Sequence, residues 1–237
     1  ELWASSPTVD VGEALDYLAG RRRLMDYGIS YPKACAVRTP EQVPTAARGL
    51  RTPLVLKAGW LEHKTEVEGV KIGLDTLESA RVAVAQMSSR LGEGEYVIEE
   101  MDTREGTIEL IVGARRDDSF GPVVVVGLGG VHAEIYRDVA LSLAPVTPAE
   151  ARRMIESLRC LPLLQGFRGR PVVDIAAAAD AVVAVSRLLA EQPDILECEI
   201  NPLRVGPQGA LAVDALVLAG APKTTQPQDS QPKEVAR

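Results

Sequence analysis

The segment Glu197-Cys198-Glu199-Ile200-Asn201-Pro202-Leu203, followed by Ala212-Val213-Asp214-Ala215, alternates acidic or amide residues with apolar ones. In a strand, a period of two sends Glu197, Glu199 and Asn201 to one face and Leu196, Cys198 and Ile200 to the other. This part of the chain is therefore constrained to a sheet with one acidic and one apolar face. Gly206-Pro207-Gln208-Gly209 reads as a hairpin turn between the strands Leu203-Val205 and Ala210-Val213, which returns Asp214 to the side of Asn201. Glu199, Asn201 and Asp214 offer hard oxygen donors of the kind magnesium takes while it also holds phosphate oxygens. An edge strand with a solvated polar face accounts for the same spacing. Glu197 has no assigned role in either reading.

With 237 residues, 46% of them hydrophobic and 25% charged, the chain can bury a substantial core as one large domain or two smaller lobes. No apolar run approaches the roughly 20 residues of a membrane span. Glu1 opens the chain without Met, and the first twenty residues lack a charged start followed by an apolar stretch. No secretory signal is expected, and the sequence reads as a piece of something longer. Cys35, Cys160 and Cys198 are far apart and form no Cys-x-x-Cys, so reduced thiols in the cytoplasm are expected rather than a disulfide framework or a zinc site. A formal net charge of -7 argues against nucleic acid and membrane surfaces as partners and leaves any anion site to be built locally.

From Asp10, the spacing of Val11, Ala14, Leu15 and Leu18 predicts a helix capped by that Asp and running towards Tyr27-Gly28. Strands are expected at Ala34-Val37, Leu54-Lys57, Val70-Leu74 and Tyr96-Met101, with helices near Pro40-Leu50 and Leu77-Leu91. Thr107-Val112 and Pro122-Val126 read as further strands, the second apolar on both sides and so central. Helices are expected over Pro148-Leu158 and over Ile175-Ala190, the latter capped by Asp174. The resulting division is an N-terminal helical segment on the large lobe (1–29), a small lobe (30–101), a large lobe with the metal site (102–220), and a disordered tail or linker (221–237) rich in Pro and Gln.

Several groups carry candidate chemistry. Lys57 ends an apolar strand, and Gly59, His63, Lys64 and Gly69 follow in a loop able to wrap an anion. The loop lacks the spacing and Gly-Lys-Ser/Thr ending of a P-loop. His63, flanked by Glu62 and Lys64, reads as accessible. Gly127-Leu128-Gly129-Gly130-Val131 invites a dinucleotide site, but His132 stands where the third glycine belongs. Glu99, Glu100 and Met101 end a strand, and Glu109 follows in Ile108-Glu109-Leu110. Free backbone groups beside carboxylates suit an adenosine, and solvated hairpin acids explain the same residues.

Taken in order, these segments resemble a known family. They are Leu56-Lys57 with His63-Lys64-Thr65, Ile98-Glu99-Glu100-Met101, Glu109-Leu110-Ile111-Val112-Gly113, Phe120-Gly121-Pro122-Val123 into Gly127-Leu128-Gly129-Gly130, Leu163-Leu164 with Gly166-Phe167-Arg168-Gly169-Arg170-Pro171, and Glu199-Ile200-Asn201-Pro202-Leu203 to Asp214. Over residues 10 to 218 the chain is similar to the ATP-grasp domain of ADP-forming acyl-CoA (acetate-CoA) synthetases, related to the β subunit of succinyl-CoA synthetase. The resemblance implies an α+β ATP-grasp fold of two α/β lobes with ATP or ADP between them. By position, Lys57 and Lys64 would meet the phosphates, Glu99, Glu100 and Met101 the adenine, Glu109 the ribose or phosphates, and Glu199, Asn201 and Asp214 magnesium. His63 would carry the phosphoryl group, with Lys57, as the catalytic pair. The loop from Lys57 to His63 is shorter than in archaeal-type members, and Glu66-Val67-Glu68-Gly69 replaces a more Gly-rich turn.

The implied activity is that of an acid-CoA ligase (ADP-forming), acting together with a CoA-binding and ligase partner, domain or subunit, that bears another phosphohistidine, and with a small carboxylic acid as substrate. CoA would bind on that partner. Two other readings fit the same fold: a nucleotide-binding or degenerate regulatory domain of a larger protein acetyltransferase, and a carboxylate-amine ligase, which would not need His63.

Overall fold

The computed structural model describes residues 12–61, 64, 66–130 and 138–220. It opens with a short strand, β1 (Glu13–Ala14), and helix α1 (Tyr17–Asp26). This corrects the expectation of a helix capped at Asp10, a residue outside the described set. Glu13 and Ala14 pair with Ala219 and Leu218 of an otherwise open sheet edge. The backbone groups there find partners in the sheet before a helix can start. Gly12 permits the close approach, since a Cβ would lie 2.7 Å from the Ala219 carbonyl oxygen. The helix is capped instead by Asp16, which accepts from the Ala19 N–H at 2.8 Å.

The next strands are β2 (Ala34–Val37), β3 (Leu54–Ala58), β4 (Val70–Leu74) and β5 (Tyr96–Glu100), which form an antiparallel sheet in the order β2-β5-β3-β4. Between β2 and β3, the helix expected near Pro40-Leu50 is reduced to a 3-10 turn (Pro40–Gln42) and one α turn, α2 (Val43–Ala46). Pro40 and Pro44 remove two backbone donors from that stretch. Helix α3 (Leu77–Leu91) has reciprocal Thr76 and Ser79 caps and stops at Gly92, whose φ is +90°. Leu54, Leu56, Ala58, Tyr96 and Ile98 pack in one core with Ala80, Val84 and Met87 of α3. Period two then turns Val55, Lys57, Val97 and Glu99 to the other face.

Strands β6 (Ile108–Asp117), β7 (Gly121–Leu128), β8 (Val139–Leu143), β9 (Ile195–Gly206), β10 (Gly209–Ala212) and β11 (Ala215–Ala219) complete the larger sheet. Its order is β1-β11-β9-β6-β7-β8, with β10 on β9. β7 is flanked on both sides, as its apolar run suggests. Strands β8 and β11 were not anticipated. β9 is one long strand rather than two, because Asn201 and Pro202 together stand opposite Ile111, between the pairs Leu110–Leu203 and Val112–Ile200. Such a bulge accommodates a proline without breaking the pairing on either side.

Helices α4 (Pro148–Glu156), α5 (Leu161–Leu164) and α6 (Ile175–Glu191) follow β8. Asp174 caps α6 as expected, accepting from Ala177 N–H at 3.0 Å. Val112, Ala114, Val124, Val126, Cys198, Ile200 and Val217 form one core with the apolar side of α6. Ile195, rather than Leu196, joins it, since the β9–β11 register slips between Leu218 and Ala219. Leu188 is fully buried there, so Leu188→Ala should destabilise the chain by about 2 to 5 kcal/mol. The exposed Arg187–Glu191 pair should contribute less than about 1 kcal/mol. Urea midpoints of Leu188→Ala and Arg187→Ala, measured side by side, check both values.

Candidate functional site

The surfaces of the two sheets opposite α3 and α6 face each other, and a cavity of about 400 Å³ lies between them. Lys57, Glu99, Glu100, Met101, Glu109, Asn201 and Asp214 all line it. They come from β3, from the β5 end and its exit, from β6, from the β9 bulge and from the β10–β11 junction. Val55, Val70, Ile72 and Pro202 supply apolar wall. Ile72 is 63% exposed within the cleft, a surface suited to a flat ring.

Lys57 and Glu99 are 4% and 2% exposed. Lys57 Nζ is paired with Glu99 Oε1 and donates to the Val213 carbonyl of the opposite sheet. It also donates to the Tyr17 hydroxyl at 3.2 Å. Glu99 Oε2 receives Tyr17 at 3.1 Å and Arg21 Nη1 at 3.4 Å. The Glu100 carboxylate binds the Arg51 backbone N–H at 3.0 Å and its guanidinium, which lowers the Glu100 pKa. The Met101 N–H donates to Pro53. Of the proposed adenine linker, these groups already have partners within the protein.

Lys64 Nζ stands 3.2 Å from Asp214 Oδ1, joining the loop after β3 to the other sheet. His63 lies outside the described residues, as do His132 and the expected tail 221–237. Asn201 donates its N–H to the Asp214 carbonyl at 3.2 Å, as the hairpin reading requires, and its amide to Glu199 at 3.3 Å. Glu199 is not among the cavity-lining residues. Among the described residues no three His, Cys, Asp or Glu side chains converge as a metal site. Two carboxylates and an amide remain as the donor set, and an ammonium already rests on one of them. Glu197 is raised in pKa by burial and by Glu199, against a lowering from Arg115.

Five charged or polar residues in or beside the cleft carry only weak signatures in the sequence. Tyr17 and Arg21 are four residues apart on α1, hence on one face. That spacing was the available signal. Asp102, with its side chain 2% exposed, is clamped by Arg104 at 2.9 Å and by Arg204 at 3.1 Å. Arg204 also reaches Glu109 at 3.8 Å, its partner across β6 and β9. Only the Asp-Thr-Arg order of 102–104 hinted at this clamp.

Against known proteins, the model of the ATP-grasp domain matches residues 10–218. The chain belongs to the ATP-grasp family. It is 36% identical over 206 residues to a trans-feruloyl-CoA synthase of an unknown prokaryotic organism, covering 82% of this chain but 29% of that protein. The β subunit of acetate–CoA ligase (ADP-forming) I from Pyrococcus furiosus is 34% identical over 202 residues, 81% of this chain and 86% of that subunit. An acetyl-coenzyme A synthetase 1 structure from Candidatus Korarchaeum cryptofilum, solved with coenzyme A and Ca-AMPCP, superposes with a TM-score of 0.81 at 32% identity, covering 88% of this chain and 94% of that one. A second structure of that protein, with coenzyme A and Mg-AMPPCP, has its phosphohistidine segment pointing towards the nucleotide-binding site (TM-score 0.76, 32% identity, 87% and 93% covered). No described helix of this ATP-grasp chain is long and apolar enough to cross a membrane.

Burial raises the Asp102 pKa, but the bonds from Arg104 and the charge of Arg204 outweigh it and hold the carboxyl below its ordinary value. A depressed folded-state pKa means stability that is present above the unfolded value, about 3.9, and lost as pH falls through the folded value. Asp102→Asn weakens these charge-assisted bonds and should cost about 1.5 to 3 kcal/mol near neutral pH. The difference from wild type should shrink below about pH 4. Denaturation midpoints from pH 7 down to the acid limb check this.

Proposed function

We propose that this ATP-grasp chain binds ATP and magnesium between its two sheets and transfers the γ-phosphoryl group to a histidine, as the nucleotide-binding part of an ADP-forming acyl-CoA synthetase. One observation carries the reading: a single cavity gathers Lys57, Glu99, Glu100, Met101, Glu109, Asn201 and Asp214 from distant parts of the chain. Phosphoryl transfer depends mainly on positioning and charge neutralisation, and such a cavity supplies both.

Adenine would lie against Val55, Ile72 and Met101, beside the Glu99–Met101 strand end, with Glu109 towards the ribose or phosphates. Lys57 and Lys64 would exchange Glu99 and Asp214 for phosphate oxygens. Glu199, Asn201 and Asp214 would hold magnesium, whose charge eases the build-up of negative charge on the phosphates. The ammonium now on Asp214 fits a donor set that takes a cation. His63 would accept the phosphoryl group: a P–N bond forms, the bond between the γ-phosphorus and the bridging oxygen breaks, and ADP leaves with that electron pair. The chain spans 29% of the length of the trans-feruloyl-CoA synthase to which it is similar. A CoA-binding and ligase partner with its own phosphohistidine would therefore complete the reaction on a small carboxylic acid, in the cytoplasm.

Calorimetric titration with MgATP should show binding that Lys57→Met weakens at least about tenfold, or 1.4 kcal/mol. Labelled ATP should leave acid-labile phosphate on the full-length protein and none on its His63→Ala variant. Absence of MgATP binding would sink the nucleotide reading. Binding without label would favour a regulatory domain of a larger acetyltransferase.

A further inference from the structure

Tyr17 enters the cleft from α1, which belongs to neither sheet, yet it is 3% exposed. Its ring centroid lies 4.7 Å from Lys57 Nζ and 5.2 Å from Lys64 Nζ. Its hydroxyl accepts from Lys57 and lies 3.1 Å from Glu99 Oε2 and 3.4 Å from the Val213 carbonyl oxygen. One phenol thus touches both lysines, the carboxylate that neutralises Lys57, and the backbone next to Asp214, which neutralises Lys64.

Two ammonium groups sharing one small space repel each other. The negative face of an aromatic ring attracts both, and most strongly where water is excluded. Burial, then Glu99 and Asp214, raise the phenol's pKa well above its ordinary value, so it stays neutral and keeps its proton to donate. The backbone holds the ring at a fixed height: Tyr17 N–H donates to Gly59 O in the smaller sheet's chain, and Leu15 N–H to Val217 O in the larger sheet, both at 2.9 Å. Arg21, one turn on, holds Glu99 and the Pro32 carbonyl.

We propose that Tyr17 is a positioning residue for the phosphate-binding end of the cleft, holding the ammonium groups of Lys57 and Lys64 on one ring in readiness for a polyphosphate. The destination of those lysines rests on the nucleotide reading above, while their arrangement does not. When phosphate oxygens replace Glu99 and Asp214 as counter-ions, every charged partner of the lysines changes. The ring contact carries no charge and persists through that exchange, so both side chains stay aimed while their partners are swapped.

The two contacts can be separated. Lys57 touches both hydroxyl and ring, whereas the contact of Lys64 is with the ring. Amine labelling with an N-hydroxysuccinimide ester, read lysine by lysine by mass spectrometry on the whole chain without nucleotide, should respond accordingly. Tyr17→Phe should raise labelling of Lys57 about threefold and leave Lys64 as in wild type, whereas Tyr17→Leu should raise both about tenfold. MgATP affinity should fall about tenfold in Tyr17→Leu and stay within about threefold of wild type in Tyr17→Phe. Equal labelling of Lys57 and Lys64 in wild type and Tyr17→Leu overturns the proposal, and so does an increase spread evenly over all lysines, which reports a loosened fold. If Tyr17→Leu does not fold, Tyr17→Phe decides alone: Lys57 and Lys64 responding together overturns it. Wild-type chain that binds no MgATP overturns the nucleotide reading, whereas wild-type binding with unchanged affinity in Tyr17→Leu overturns this one.

Discussion

The Lys57–Glu99 ion pair sets the terms for the rest of the molecule. Both charges are almost wholly removed from water, and each would be costly there without close partners. Glu99 takes Lys57, Arg21 and Tyr17, and Lys57 takes Glu99, Tyr17 and the Val213 carbonyl. These partners come from α1, from the smaller sheet and from the larger one. Satisfying one buried pair therefore requires all three to be in place, and it ties the helix across the cleft.

Each sheet solves its hydrophobic problem on one side only. The smaller packs α3, and the larger packs α6, through continuous rows of Leu, Ile, Val and Ala. The opposite faces are left with lysines, acids and an open cavity, an arrangement that a core optimised for stability would avoid. The Asp102 clamp and the Lys64–Asp214 pair stabilise that polar interior in different ways. Asp102 is held by two arginines whose other hydrogen bonds go to backbone carbonyls and to Thr107, with Arg204 also near Glu109, so it serves the architecture where the chain passes between the sheets. Lys64 and Asp214 are joined to each other across the cleft, and a polyphosphate with its cation would offer each a stronger partner.

Much of this was visible in the residues. Val70–Leu74 and Leu77–Leu91 have the bounds their patterns suggest, because alternation and the Thr76 cap act locally. The Gly206-Pro207-Gln208-Gly209 turn likewise brings Asp214 to Asn201 through backbone geometry alone. The errors have non-local causes. Ala14 and Leu15 sit at helical spacing with Leu18, yet the open edge of β11 claims the backbone at Glu13–Ala14. Asn201-Pro202 looked like a strand end because a proline cannot donate to a ladder, and the bulge opposite Ile111 removes that objection.

By itself the sequence determined most of the strands and helices, the acidic face of β9 and the order of the motifs, since each depends on neighbours a few residues away. Tertiary structure decided which charges neutralise which. No spacing relates Tyr17 to Lys57, Lys64 and Glu99, or Asp102 to Arg204, because those distances are set by how two sheets and a helix close over a shared low-dielectric space. In that space a buried charge is stable only where another segment brings its partner.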